Sequence, residues 1–130
     1  MKANVEILGR DNLDFAKVKF YTLRLENETE DELTKFYRRY EQAHLQSVNY
    51  LKMWIVQVGE KYSAEPRFFR PEDNTKALPP PSKLISSLEL DVEKSKMKLR
   101  LYCIVLSSEI AILVSGGVKE SDATRDSPSC

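Results

Sequence analysis

The chain has 130 residues, 42% of them apolar and 31% charged, which suits a single globular domain with its own core and excludes a disordered chain. Twenty Lys and Arg balance twenty Asp and Glu, so net charge gives no global push toward nucleic acid or an anionic membrane. Charge is uneven locally, with acids at Glu26, Glu28, Glu30, Asp31 and Glu32, and bases at Lys94, Lys96, Lys98 and Arg100. Two cysteines, Cys103 in an apolar run and Cys130 at the last position, make no disulfide framework, and no Cys/His spacing resembles a zinc site. The first residues lack the apolar stretch of a signal peptide, and the apolar run Ile110–Val114 is far too short to cross a bilayer, so the expectation is a cytoplasmic protein that does not act on membranes.

Val5–Leu8 reads as a short strand, and Gly9 to Phe15 as a turn built on Asp11, Asn12 and Asp14. Lys17–Glu26 alternates and is rich in β-branched and aromatic residues, which predicts a strand. A helix start follows, with Thr29 and Glu32 at capping-box spacing and Asn27 with Glu30 as an alternative. Leu33, Phe36, Tyr37 and Tyr40 share one helical face, predicting a helix to about His44. Val48, Leu51, Ile55 and Val58 form the stripe of a second helix over Gln46–Val58, with Gly59 as its C-terminal cap.

Beyond Ser63 the pattern changes. Arg67–Arg70 reads as a short strand ended by Pro71, with Phe68 and Phe69 on opposite faces. Glu72–Lys76 is turn-like, and Pro79–Pro81 is a rigid extended linker. Leu84–Val92 fits a loop with a short strand or a helical turn. Lys98–Leu106 is the clearest strand, with Leu99, Leu101, Cys103 and Val105 on one face and Lys98, Arg100, Tyr102, Ile104 and Leu106 on the other. Ser107–Ser108 turns the chain into a second apolar strand over Glu109–Ser115, and Gly116–Gly117 allows a sharp bend. The order predicts an α+β domain over residues 1–119: an N-terminal strand or hairpin and two helices packed on one face of a twisted, mainly antiparallel sheet. A polar tail follows over 120–130.

No P-loop, GxGxxG, HExxH or GxSxG is present, and the one histidine, His44, sits at a helix end with no nucleophile beside it. What remains is a set of cations and a tyrosine in the sheet half: Arg67, Arg70, Lys98, Arg100, Tyr102 and Lys119. Arginine grips phosphate through a bidentate fork, and lysine or tyrosine can pass a proton or stabilise charge. Such a set can cleave RNA without histidine if the 2′-hydroxyl is positioned to attack the adjacent phosphorus. The same residues also fit strand edges that carry charge for solubility.

The stretches Arg67-Phe-Phe-Arg-Pro-Glu72, Ala77-Leu-Pro79, Lys98-Leu-Arg-Leu-Tyr-Cys103, Ile110-Ala-Ile-Leu113 and Gly116-Gly-Val-Lys119 resemble the RelE/HigB superfamily of bacterial toxins, over about residues 17–119. The resemblance implies a RelE-like fold and the toxin component of a type II toxin–antitoxin system, possible as a ribosome-dependent mRNA endonuclease. Its partners would be an antitoxin protein, the ribosome and mRNA, with no cofactor and no metal. It implies Arg100, Tyr102 and Lys119 as catalytic residues and Arg67, Arg70 and Lys98 as RNA-binding residues. The neutral charge and the lack of a tyrosine or histidine in Ser121–Cys130 fit an alternative, a RelE-like module that binds protein partners without catalysis.

Overall fold

The structure is a computed structural model that describes residues 4–72, 75–81, 83–84 and 99–118. Lys98, Lys119, the tail and all of Leu84–Val92 except Leu84 lie outside the described residues. The architecture is α+β. The described residues include helices α1 (Glu32–Tyr40) and α2 (Leu45–Gln57) and strands β1 (Val5–Asp14), β2 (Lys19–Leu25), β3 (Arg70–Glu72), β4 (Thr75–Leu78), β5 (Leu99–Ser107) and β6 (Ile110–Val118). The strands form one sheet in the order β1-β2-β6-β5-β4-β3. Every pairing is antiparallel except β2 with β6, which is parallel.

Strand alternation builds the core. Phe20 and Thr22 lie beside Ala111 and Leu113 in the β2–β6 register, and Cys103 lies opposite Leu113 on β5. All five are buried and share the side covered by the helices. Trp54, Leu51 and Val48 of α2 and Phe36 of α1 complete that layer, together with Phe68, Phe69, Leu78, Leu99 and Leu101.

Several local expectations change. The chain does not turn at Gly9; β1 runs on to Asp14. Its register jumps from Gly9↔Tyr21 to Asp14↔Lys19, so the turn formers Asp11 and Asn12 occupy an irregular outward excursion of a paired strand. Neither expected capping box starts α1. The N-cap is Asp31, and the helix ends at Tyr40, before His44, whose amide donates to Tyr40 O at 2.8 Å and which itself precedes α2. Gly59 does not cap α2, which passes into a wider helical turn over Val58–Tyr62. A Cβ at Gly59 would lie 2.3 Å from the Phe15 ring, so its lack of a side chain admits that ring.

Arg67–Arg70 is not a strand. Pro66–Phe68 forms a 3₁₀ turn, and Pro71 sits inside β3. Proline is tolerated there because β3 is the sheet edge and needs no outward N–H. Phe68 and Phe69 are both buried rather than divided between two faces, and Phe68 stacks on Tyr62 with ring centroids 4.7 Å apart. Thr75 and Lys76, expected in a turn, begin β4. Gly116 and Gly117 do not bend the chain; they lie within β6, opposite Leu101 and Arg100.

One buried carboxylate joins the N-terminal hairpin to α1. Asp31 Oδ2 accepts from Thr22 Oγ1 at 2.8 Å and from Thr34 N at 3.1 Å. Its Oδ1 accepts from Thr34 Oγ1 at 2.7 Å and from the Arg10 guanidinium. Two donors on each oxygen fill the accepting capacity of an ionised carboxylate. Burial alone would raise the Asp31 carboxyl, but the hydrogen bonds from Thr34 and Thr22 and the Arg10 charge outweigh it and hold the group below its usual value. A depressed folded value means that this stabilisation is present above the unfolded value of about 3.9 and lost as pH falls through the folded one. Asp31→Ala is therefore expected to cost on the order of 3 kcal/mol at neutral pH. Urea denaturation of the two proteins should show that difference narrowing below about pH 4.

Candidate functional site

The register across β3, β4 and β5 brings together residues that are far apart in sequence. Arg70 lies opposite Ala77, and Ala77 lies opposite Tyr102. Arg70, Ala77 and Tyr102 thus form one cross-strand row, with Arg100 two residues before Tyr102 on β5. Alternation along β5 sends Leu99, Leu101 and Cys103 toward the helices, and Arg100, Tyr102 and Ile104 to the other side. The small side chain of Ala77 keeps the middle of the row low.

The row members differ in accessibility. Tyr102 is 37% exposed, whereas Arg100 is only 8% exposed, and its Nη1 donates to Leu99 O at 3.3 Å. Arg70 is half-buried and donates from Nε to Pro79 O at 3.4 Å and from Nη2 to Pro80 O at 3.1 Å. Its guanidinium thereby pins the proline segment beside the start of β3. Thr75 Oγ1 donates to Cys103 O at 2.9 Å, which adds a side-chain tie between β4 and β5.

Arg67, expected beside Arg70, lies on the 3₁₀ turn instead. Its guanidinium carbon sits 4.5 Å from the centroid of the Phe68 ring, and its Nε lies 3.7 Å from Glu65. The side chain is 66% exposed, so this cation projects into solvent from a turn rather than from the sheet. The described structure therefore gathers Arg70, Arg100 and Tyr102 and sets Arg67 apart. Lys98 and Lys119 fall outside the described residues.

The place of two members in the arrangement could not be read from the sequence. Ala77 joins Arg70 to Tyr102 only through pairing, and Gly117 lies opposite Arg100 only because β6 carries a register irregularity between Leu113 and Gly116. The same face carries exposed apolar side chains together with the exposed cation Lys19 of β2. Val5, Ile7, Leu25, Ile104 and Ile110 are all exposed on the side away from the helices. Cys103 is a free, buried thiol on the opposite side, and burial pushes its pKa up, so it is unsuited to be a nucleophile. Among the described residues no group of three or more His, Cys, Asp or Glu could hold a metal ion, and no helix is long and apolar enough to cross a membrane.

Gly116 fixes the backbone next to Arg100. A Cβ there would fall 1.7 Å from Arg100 O and 2.9 Å from Phe36 Cε1, whereas one at Gly117 would meet nothing nearer than Tyr40 Oη at 3.9 Å. Gly116→Ala is expected to cost about 2 kcal/mol or more through forced backbone shifts, and Gly117→Ala to stay within about 0.5 kcal/mol of the parent, as measured by thermal denaturation. In comparisons with protein-family models, curated proteins and solved structures, nothing matches the chain.

Proposed function

We propose that the protein is a RelE/HigB-like toxin component of a type II toxin–antitoxin system that cleaves mRNA on the ribosome. The observation that carries this reading is the row in which Arg70 and Tyr102 share one register line with Arg100 two residues away. It adds to the sequence resemblance, because it brings three of the implied residues to one region of the sheet. In the proposed reaction the 2′-oxygen of a nucleotide attacks the adjacent phosphorus and the bond to the 5′-oxygen breaks. The products are a 2′,3′-cyclic phosphate and a 5′-hydroxyl. The Arg100 fork stabilises the non-bridging oxygens as charge builds on them, and Arg70 holds a neighbouring phosphate. Tyr102 and Lys119 are the groups that take the proton from the 2′-hydroxyl and return one to the departing 5′-oxygen.

A second reading has its own support. Arg100 is buried and bonded to its own strand, while Ile104 and Ile110 are exposed on the same side of the sheet as Tyr102. Exposed apolar side chains with few cations among them suit protein more than RNA, so a RelE-like module that binds an antitoxin-like partner without catalysis is the alternative. Induced expression in a bacterial host separates the two. The nuclease reading expects growth arrest that Arg100→Ala relieves at equal soluble yield, with Tyr102→Phe relieving it in part. Absence of arrest at any expression level, or arrest unchanged by Arg100→Ala, favours the binding module.

A further inference from the structure

On the helix side of the sheet, away from the Arg70–Tyr102 row, a cleft of about 320 Å³ opens between the irregular part of β1 and the two helices. Its volume is at the lower end of the range for small-molecule sites. Leu13, Phe15 and Ile55 line it with apolar surface, and Tyr37 supplies an aromatic wall. Two cations also line it, Arg10 from β1 and Lys52 from α2. The Lys52 ammonium lies 4.7 Å from the centroid of the Tyr37 ring.

The charge balance of this cleft is what points to a ligand. Its single carboxylate, Asp31, already has two donors on each oxygen, from Thr22, Thr34 and Arg10, so it has no further capacity for Lys52. No carboxylate among the described residues lies within ion-pair distance of Lys52. Arg10 gives Asp31 one end of its fork, and its side chain is 43% exposed, which leaves other N–H groups able to donate. The cleft therefore holds one positive charge in excess over an apolar floor. We propose that it binds a small organic oxyanion, a carboxylate or phosphate monoester carried on an aryl or short alkyl body. The oxyanion would bridge Lys52 and Arg10, and the body would lie against Tyr37 and Leu13.

The proposal is independent of RNA cleavage, and the full-length chain tests it directly. Benzoate and phenyl phosphate are titrated into isotopically labelled protein, with benzylamine and benzyl alcohol as cationic and neutral probes of similar size. Saturable amide shifts clustered at Asn12, Leu13, Thr34 and Lys52 are expected with at least one oxyanion, and whether benzoate or phenyl phosphate binds tighter distinguishes carboxylate from phosphate. Lys52→Gln should weaken oxyanion binding about tenfold while the rest of the spectrum is kept, and Lys52→Arg should retain it. The proposal is overturned if neither oxyanion shifts these amides at millimolar concentration, if benzylamine binds as tightly, or if Lys52→Gln binds oxyanions as well as the parent does.

Discussion

The fold turns on one saturated carboxylate. Asp31 is buried, yet it stays ionised because four donors from three elements converge on its two oxygens. Arg10 brings β1, Thr22 brings β2, and the amide and hydroxyl of Thr34 bring the first turn of α1. Two of these groups are backbone or side-chain donors at a helix start that would otherwise lack a partner. The hairpin and the helix layer are therefore fixed to each other at the point where the chain leaves the sheet. The same saturation leaves Lys52 without a carboxylate partner among the described residues on the far wall of the neighbouring cleft, so one structural requirement sets the electrostatics of a second region.

At the other end of the sheet the controlling factor is register. Two short antiparallel pairings place Arg70, Ala77 and Tyr102 in line, and the close approach of Gly116 to the Arg100 carbonyl fixes the backbone beside them. Helices α1 and α2 lie on one side, and the row stands on the other, a face with exposed Ile104, Ile110, Ile7 and Val5. Of Arg70, Arg100 and Tyr102, Arg100 is the most hidden and Tyr102 the most open. For RNA chemistry the Arg100 fork has to engage a phosphate from this buried position, whereas for protein binding the apolar surroundings alone suffice. That contrast is the physical difference between the two functional readings.

The parts of the fold written in periodicity were legible in the sequence. The 3.6-residue stripes of Leu33, Phe36, Tyr37 and Tyr40, and of Val48, Leu51 and Ile55, became α1 and α2, and the alternation from Leu99 to Leu106 became β5. Features decided by tertiary pairing were not. Asp11 and Asn12 favour turns locally, but pairing with β2 carries β1 past them. The Phe68–Phe69 pair alternates like a strand, but the core takes both rings, so the chain coils into a 3₁₀ turn first. Asp31 is one acid among five in its stretch, and it is the N-cap bond to Thr34 N that sets it apart from the others. Of the site, the shared side of Arg100 and Tyr102 followed from spacing alone. The approach of Arg70 through Ala77 required the register, and the displacement of Arg67 required the turn.

The claim that the β5 face carries RNA chemistry is tested most directly by the ends of the RNA it cuts. Purified protein is mixed with translating ribosomes, and the new mRNA termini are analysed chemically. The account predicts 2′,3′-cyclic phosphate and 5′-hydroxyl ends that disappear with Arg100→Ala. Intact mRNA with the parent protein, or ends bearing a 5′-phosphate, would contradict it.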